Sequence, residues 1–570
     1  PSTMLCPSPI SLAVRWKGRS PTRRLESAVT DPAQAQRSLL RTLLSRHQYT
    51  AFGRDHGFGS ILTPADYQRA VPVREYEGFR PYVQRMVEGE ANVLVRDPVQ
   101  MFTLTSGTTG QSKYIPVTVE SETRNANLMR QWLCRLLSDH PKCLNRSIVG
   151  IVSPAVEGYT PSGIPYGSLS GRMYQHMPRL IRDAYAVPYS VFEISDYDTR
   201  YWAIARFALA RNVSFVATPN PSTLQRLASV LAAHGDALIR AIHDGTLGLT
   251  QEQSGLASST FQHLCTRLRP QPHRARTLSN ILSKTGVLHP KNCWPHLKVL
   301  GCWTGGSVGH QAQRLVEAYG DVSLRDLGYL ASEARVTLPV GDRTSSGILD
   351  VTLNYCEFIP ENATDDSHPP IYLSHELEIG KRYSILVTTP GGLYRYHIND
   401  IVEVTGFYHQ TPMIAFVRKG KDMSNLTGEK LHVNQLLLAM DTVCQRFDLS
   451  IGSVQWVPSV DEMAYHVYVE WLDHRGDRWI QQVMLPALDE ALGQLNSEYA
   501  QKRASKRLHP ICLHRMRDGW AEAVKRRAIA QGGRDIQYKW KVLTPDGNSS
   551  PLNQSYEETV IPAVLLPDRT

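Results

Sequence analysis

The chain has 570 residues, 42% of them hydrophobic and 20% charged, and carries a formal net charge of +9 at pH 7. This is the composition of a globular protein long enough for more than one domain, and it excludes a disordered or fibrous chain. No apolar run approaches the roughly 18 residues of a spanning helix, so no membrane contact is expected. Nine cysteines without a CxxC pair read as reduced thiols of a cytoplasmic protein, and no His/Cys set has linear zinc spacing.

Residues 1–30 are rich in Ser, Pro and Arg and are predicted to be poorly ordered. Residues 31–416 read as one large domain. It opens with a helix over Gln34–His47, where Leu39, Leu40, Leu43 and Leu44 share one face. Strand candidates follow at Met101–Leu104, Ile148–Val152, Val213–Ala217, Leu297–Leu300 and Ser323–Leu327. Several run through turn residues into helices, as in Thr218-Pro219-Asn220-Pro221-Ser222 and Gly305-Gly306-Ser307. The alternation predicts an α/β fold, with ligands at the carboxyl ends of strands.

Residues 417–430, short, polar and basic, read as a hinge. Residues 431–570 then form a smaller α/β domain, with a strand where Tyr465, Val467, Val469 and Trp471 alternate with polar neighbours. Its helices are predicted near Trp479–Tyr499 and Trp520–Ala530. The basic run from Lys502 to Lys541 reads as a solvated face. No nucleic-acid module accompanies it, so no nucleic-acid partner is expected.

Three motifs carry chemistry. The first is Leu104-Thr105-Ser106-Gly107-Thr108-Thr109-Gly110-Gln111-Ser112-Lys113. Its glycines let backbone N–H groups turn toward a ligand, its hydroxyls add donors, and Lys113 supplies a point charge, a combination suited to polyphosphate. It is not a Walker sequence. The second is Tyr329-Leu330-Ala331-Ser332-Glu333, in which a tyrosine suits a base and Glu333 suits Mg²⁺. The third runs from Gly391 through Tyr394-Arg395-Tyr396-His397-Ile398-Asn399-Asp400 to Phe407. Asp400 falls at a strand or turn edge, either accepting from ribose hydroxyls or paired with Arg395.

Together with the continuation Tyr114-Ile115-Pro116-Val117-Thr118, these motifs resemble the nucleotide motifs of the Gretchen Hagen family of acyl-acid amido synthetases, a branch of the adenylate-forming superfamily. The likeness continues through FGRDHGF, VPVREYE, NPSTLQRL, SNLTGEKL and IQYK, and so spans about Gln36 to Lys539. It implies a large N-terminal adenylate-forming domain and a smaller mobile C-terminal one. It also implies ATP-dependent activation of a small carboxylic acid as an acyl-adenylate, then transfer to an amino acid or another amine. Thr105, Ser106, Gly107, Thr108 and Thr109 would hold phosphates, Tyr329 and Ser332 would border the nucleotide beside Gly306 and Ser307, and Glu333 would position Mg²⁺. Asp400 would bind ribose near Arg418. Lys539 would swing toward the phosphates, as a second candidate catalytic cation beside Lys113. Asn399 and His397 depart from the family's usual Gly and Arg.

An acyl pocket is expected between the helix at Leu128–Leu137 and the strand ends near Gly305–Ser307 and Val336, with Met129 and Trp132 touching the acid. A ligase with a coenzyme A or carrier-protein thiol acceptor, and a degenerate nucleotide-binding protein, are the competing readings.

Overall fold

The computed structural model describes residues 8–105, 113–305, 315–364, 366–420, 423–424, 426–427, 429, 431–504, 507–531, 538–544 and 552–562. The chain divides into two compact units, Pro1–Phe416 and Val417–Thr570.

Helices in the first unit begin where their capping chemistry dictates. Asp31 caps Pro32–His47 and Thr118 caps Val119–Asp139, each accepting from a first-turn N–H, and Asn220 does the same for Pro221–Ala233. Val119–Asp139 shares a core with a four-stranded parallel sheet in the order Ser147–Gly150, Val213–Ala217, Val299–Gly301, Ser323–Arg325, whereas Pro32–His47 packs on the Tyr355–Pro360 strand. The first three strands of the parallel sheet are short and largely apolar, as expected for a sheet buried on both faces, and the edge strand Ser323–Arg325 is more polar. Beside it lies a largely antiparallel seven-stranded sheet. Its order is Tyr372–Leu373, Tyr355–Pro360, Arg382–Thr388, Tyr396–Tyr408, Thr411–Lys419, Gly347–Leu349, Thr337–Pro339. A smaller sheet holds the hairpin of Met101–Thr105 and Lys113–Val117.

Two expectations are corrected. From Ser8 the opening segment is ordered, since Pro9–Ala28 forms a helix capped by Ser8. Ser11, Val14, Gly18 and Leu25 make one buried face at helical spacing, a pattern masked by the intervening Ser and Arg. The helix packs on Val119–Asp139 so closely that a Cβ at Gly18 would overlap Cys134 Sγ. Val14 and Leu25 join a core with Leu128, Trp132, Leu136 and Phe215, and each such aliphatic side chain contributes about 1.5–3 kcal/mol. The expected hinge is also partly regular. Val417–Lys419 complete the Thr411–Lys419 strand, and Met423–Ser424 pairs with Leu431–His432.

The second unit is a four-stranded sheet in the order Ile451–Ser459, Ala464–Trp471, Cys512–Met516, Glu557–Pro562. Its central pair, Ala464–Trp471 and Cys512–Met516, is parallel. Trp456, Val467, Val469 and Leu513 form one core with Leu436 of Val433–Phe447 and Leu488 and Leu492 of Leu485–Leu495.

Candidate active site

The second motif is a tight turn. Asp326, at the carboxyl end of the Ser323–Arg325 strand, accepts from Thr304 N at 2.6 Å, Thr304 Oγ1 at 2.7 Å and Gly328 N at 2.6 Å. These bonds hold the ends of two neighbouring strands together. Burial still leaves the Asp326 carboxyl above its usual range. Gly328 has φ +93° and lies against Thr337 O, where a Cβ would collide. Tyr329 N then donates to Thr337 Oγ1 at 2.8 Å, and Ala331 N to Ala334 O at 2.8 Å. Ser332 and Glu333 form the half-buried tip of this turn.

The third motif meets the second across the seven-stranded sheet. Ser384 and Leu386 are two positions apart, but their partners Ile401 and His397 are four apart. The strand Tyr396–Tyr408 therefore bulges at Ile398, Asn399 and Asp400. Asn399 takes φ +61°, the left-handed conformation asparagine tolerates. The bulge sets Asp400, 2% exposed, where its Oδ2 accepts from Tyr329 Oη at 2.7 Å. Tyr396 Oη donates to Glu333 Oε1 at 3.1 Å. Burial, then the facing carboxylate, raises both phenols far above their ordinary value of 10, so both remain donors. The Tyr329 ring lies 5.7 Å from that of Phe416.

Arg395 is not the partner of Asp400. It has φ +48° and binds Glu357 Oε2 at 2.9 Å, with the two side chains 5% and 1% exposed, and it donates to the carbonyls of Gln68 and Val71. Arg395 is thus paired with Glu357, a residue that spacing did not suggest. His397 Nε2 lies 2.7 Å from Ser384 Oγ.

The two upstream motifs support this block from below. Phe52 stacks on Tyr394 at 4.9 Å and on Phe79 at 5.7 Å, Phe58 meets Tyr394 edge-on at 4.9 Å, and Arg74 lies over Phe52 at 5.2 Å. The Tyr76 hydroxyl accepts from Tyr114 N at 2.7 Å and lies 3.1 Å from Tyr114 O, clamping the strand that leaves the glycine-rich loop. Thr105 and Lys113 face each other at the loop's base, and Lys113 Nζ lies 5.6 Å from the Tyr76 ring centroid. Ser106, Gly107, Thr108 and Thr109 lie outside the described residues, as do Gly306 and Ser307.

In the second unit Arg418 is buried and donates to the carbonyls of Lys419 at 3.0 Å and Gly420 at 3.3 Å, while Lys539 is exposed. Among the expected acyl contacts, Trp132 is 3% exposed, 6.0 Å from Phe215, with its indole N–H given to Asp326 O at 2.8 Å. Val336 is 1% exposed in the core of the seven-stranded sheet, and Met129 is half-buried against the Trp132 core. Trp132 and Val336 therefore hold core positions. Tyr396, Tyr76 and Phe416 were not singled out from sequence. The only signal for Tyr396 is its place inside the third motif.

The GH3 family N-terminal, central and C-terminal domain models match residues 21–324, 347–419 and 434–548. A probable indole-3-acetic acid-amido synthetase of Oryza sativa is 24% identical over 545 residues, covering 88% of this chain and 87% of its own. A jasmonoyl–L-amino acid synthetase of Nicotiana attenuata is 21% identical, covering 92% and 93%. The solved structure of the GH3.15 acyl acid amido synthetase superposes with a TM-score of 0.83 at 20% identity, covering 96% of this chain and 98% of that one. That match establishes the fold.

Proposed function

The chain belongs to the GH3 family, and from that premise we propose that it activates a small carboxylic acid with ATP and passes the acyl group to the amine of an amino acid. The observation that carries this reading is the convergence of Tyr329, Glu333, Tyr396 and Asp400, from two motifs about 70 residues apart, on one bulged strand and one turn. A carboxylate is a poor electrophile because oxide is a poor leaving group. Attack of its oxygen on the α-phosphorus of ATP forms an acyl-adenylate and expels pyrophosphate. The amine then attacks the acyl carbon, AMP leaves, and the amine proton passes to solvent.

In this reading Asp400 accepts from ribose, and Tyr329 fixes the orientation of its carboxylate. Ser332 borders the nucleotide, Glu333 presents a hard oxygen donor suited to Mg²⁺, and Tyr396 holds that donor in place. Mg²⁺ there would neutralise charge on the phosphates. The loop Thr105–Lys113 cradles the phosphates, with Thr304 and Gly305 leading to Gly306 and Ser307 on the adjoining strand end. Lys113 and Lys539 divide the cationic work, and the second unit reorients between the two half-reactions. A cytoplasmic setting belongs to the same reading, because dispersed thiols suit a reducing compartment.

The test is acid-dependent exchange of labelled pyrophosphate into ATP, using folded full-length chain, Mg²⁺ and a panel of acids. At least one acid is expected to support exchange. Mass spectrometry with amino acids or coenzyme A added separately is expected to show an amide. Failure of every acid, or a thioester product alone, would overturn the assignment.

A further inference from the structure

The C-terminal sheet has two faces of different chemistry. Val467, Val469 and Leu513 enter its apolar core. Their neighbours His466, Tyr468, Cys512 and His514 lie on the opposite face, because side chains alternate along a strand. The parallel register sets His466 beside Cys512 and Tyr468 beside His514. His466 Nδ1 lies 2.7 Å from His514 Nε2, and Cys512 Sγ and one ring nitrogen of each histidine are all within 4.8 Å of one another.

The outer nitrogens are committed elsewhere. His466 Nε2 is 2.9 Å from Glu462 Oε2, and His514 Nδ1 is 2.5 Å from Glu557 Oε2. An ionised carboxylate only accepts, so each outer nitrogen carries the hydrogen. In a neutral imidazole the inner nitrogen is then a bare lone pair. Two such lone pairs facing each other at 2.7 Å repel unless a cation lies between them. A proton or a metal ion would serve, and the presence of a third donor, Cys512, beside the pair favours the metal. Binding of a metal would displace the Cys512 thiol proton. The Tyr468 ring stacks on His514 at 4.2 Å and fixes that imidazole.

We propose that His466, Cys512 and His514 bind a zinc ion that ties the two parallel strands of the C-terminal unit together, with Glu462 and Glu557 orienting the imidazoles. Two imidazoles and a thiolate form a borderline-soft set that suits zinc and not the hard Mg²⁺ of the nucleotide site. Each histidine backed by a carboxylate is the arrangement that raises ligand basicity and fixes the tautomer. Zinc–nitrogen bonds of about 2.0–2.1 Å in a tetrahedron need the two nitrogens roughly 3.3 Å apart, a small opening of the present pair. Water completes the fourth position, and the thiol proton leaves to solvent on binding. Linear spacing could not reveal the set, because His466 reaches Cys512 and His514 only through strand pairing.

The test strips the full-length chain with a chelator and titrates ZnCl₂ against a chromophoric competitor. One zinc per chain is expected, weakened about 100-fold or more by Cys512→Ser or His514→Asn. Cobalt in its place should give a thiolate-to-metal absorption band that Cys512→Ser abolishes. Zinc should raise the Tm of the wild type and leave that of Cys512→Ser unmoved. Equal melting of the two metal-free chains would show that the variant folds. Absence of stoichiometric zinc, zinc binding retained by a His466→Asn, Cys512→Ser, His514→Asn triple variant, or a cobalt band surviving Cys512→Ser would each overturn the site. A histidine pair bridged by a proton alone is the first of these results.

Discussion

Tyr329 with Asp400 in the first unit and Tyr465 with Glu429 in the second are the same chemical pair in two different frames. Glu429, 1% exposed, accepts from Leu426 N at 2.8 Å, Thr427 N at 2.7 Å, Thr427 Oγ1 at 3.0 Å and the Tyr465 hydroxyl. Most of these donors belong to its own turn. Burial raises its carboxyl, but the donors more than offset this and leave it below the ordinary 4.5. Asp400 instead meets a hydroxyl 71 positions away, on a bulge that departs from regular pairing. A carboxylate surrounded by its own turn fixes local backbone. One reached across a sheet joins two separate segments and commits their relative position. The glutamate of SNLTGEKL is thus a turn organiser, whereas the aspartate of the third motif is a junction between motifs.

The largest effect that would test this contrast is Glu429→Ala. It leaves two N–H groups and the Thr427 hydroxyl without this acceptor and the Tyr465 hydroxyl with Ser424 Oγ instead, and should cost about 3 kcal/mol or more in urea unfolding. A loss under about 1 kcal/mol would remove the turn-organiser role. Next, Asp400→Ala should weaken ATP binding about 10- to 100-fold in calorimetry, the value of a charged hydrogen bond, with acyl-acid affinity nearly unchanged. Equal loss of both would undo the ribose assignment. Tyr329→Phe should cost about 1 kcal/mol of stability and shift ATP affinity less than Asp400→Ala, because the carboxylate remains. A larger loss of ATP affinity than in Asp400→Ala would make the phenol, not the carboxylate, the ligand. The smallest effect is in pH dependence. A folded value depressed below 4.5 means that Glu429 stabilises the fold above that pH, and that this contribution is lost as pH falls through the folded value. Glu429→Gln should flatten that acid limb in thermal melts at pH 3–5, and an unchanged limb would show that other carboxylates set it.

Three of the parallel strands were legible because each is a short, largely apolar run ended by turn residues. Val213–Ala217 has the predicted bounds, and the helix from Pro221 begins within the predicted turn. The motif residues Glu333 and Asp400 were legible as chemistry but not as geometry. Asp400 lies within a 13-residue strand, and only pairing with Arg382–Thr388 creates its bulge. The seven-stranded sheet was largely invisible, because its strands draw stability from distant partners. Gln36, for example, donates from the second helix to the carbonyls of Val351 and Asn354, more than 300 positions away. Trp132 shows the opposite limit. Its helical spacing was read correctly, but spacing alone cannot tell a core face from a pocket wall.

The bulge at Ile398–Asp400 adds an even number of residues to its strand, and parity matters there. A one-residue surplus would invert every side chain beyond it, sending Val402 and Val404 to the wrong face. With two surplus positions the inward residues on both sides keep their assignment, and Val402 and Val404 stay buried in the same core as Ile385 and Val387. The ladder would therefore close without these two residues, at the loss of the left-handed Asn399 and of the reach of Asp400 to Tyr329. In this sheet the reach of Asp400 to Tyr329 hangs on two surplus residues that the pairing of the flanking strand does not require.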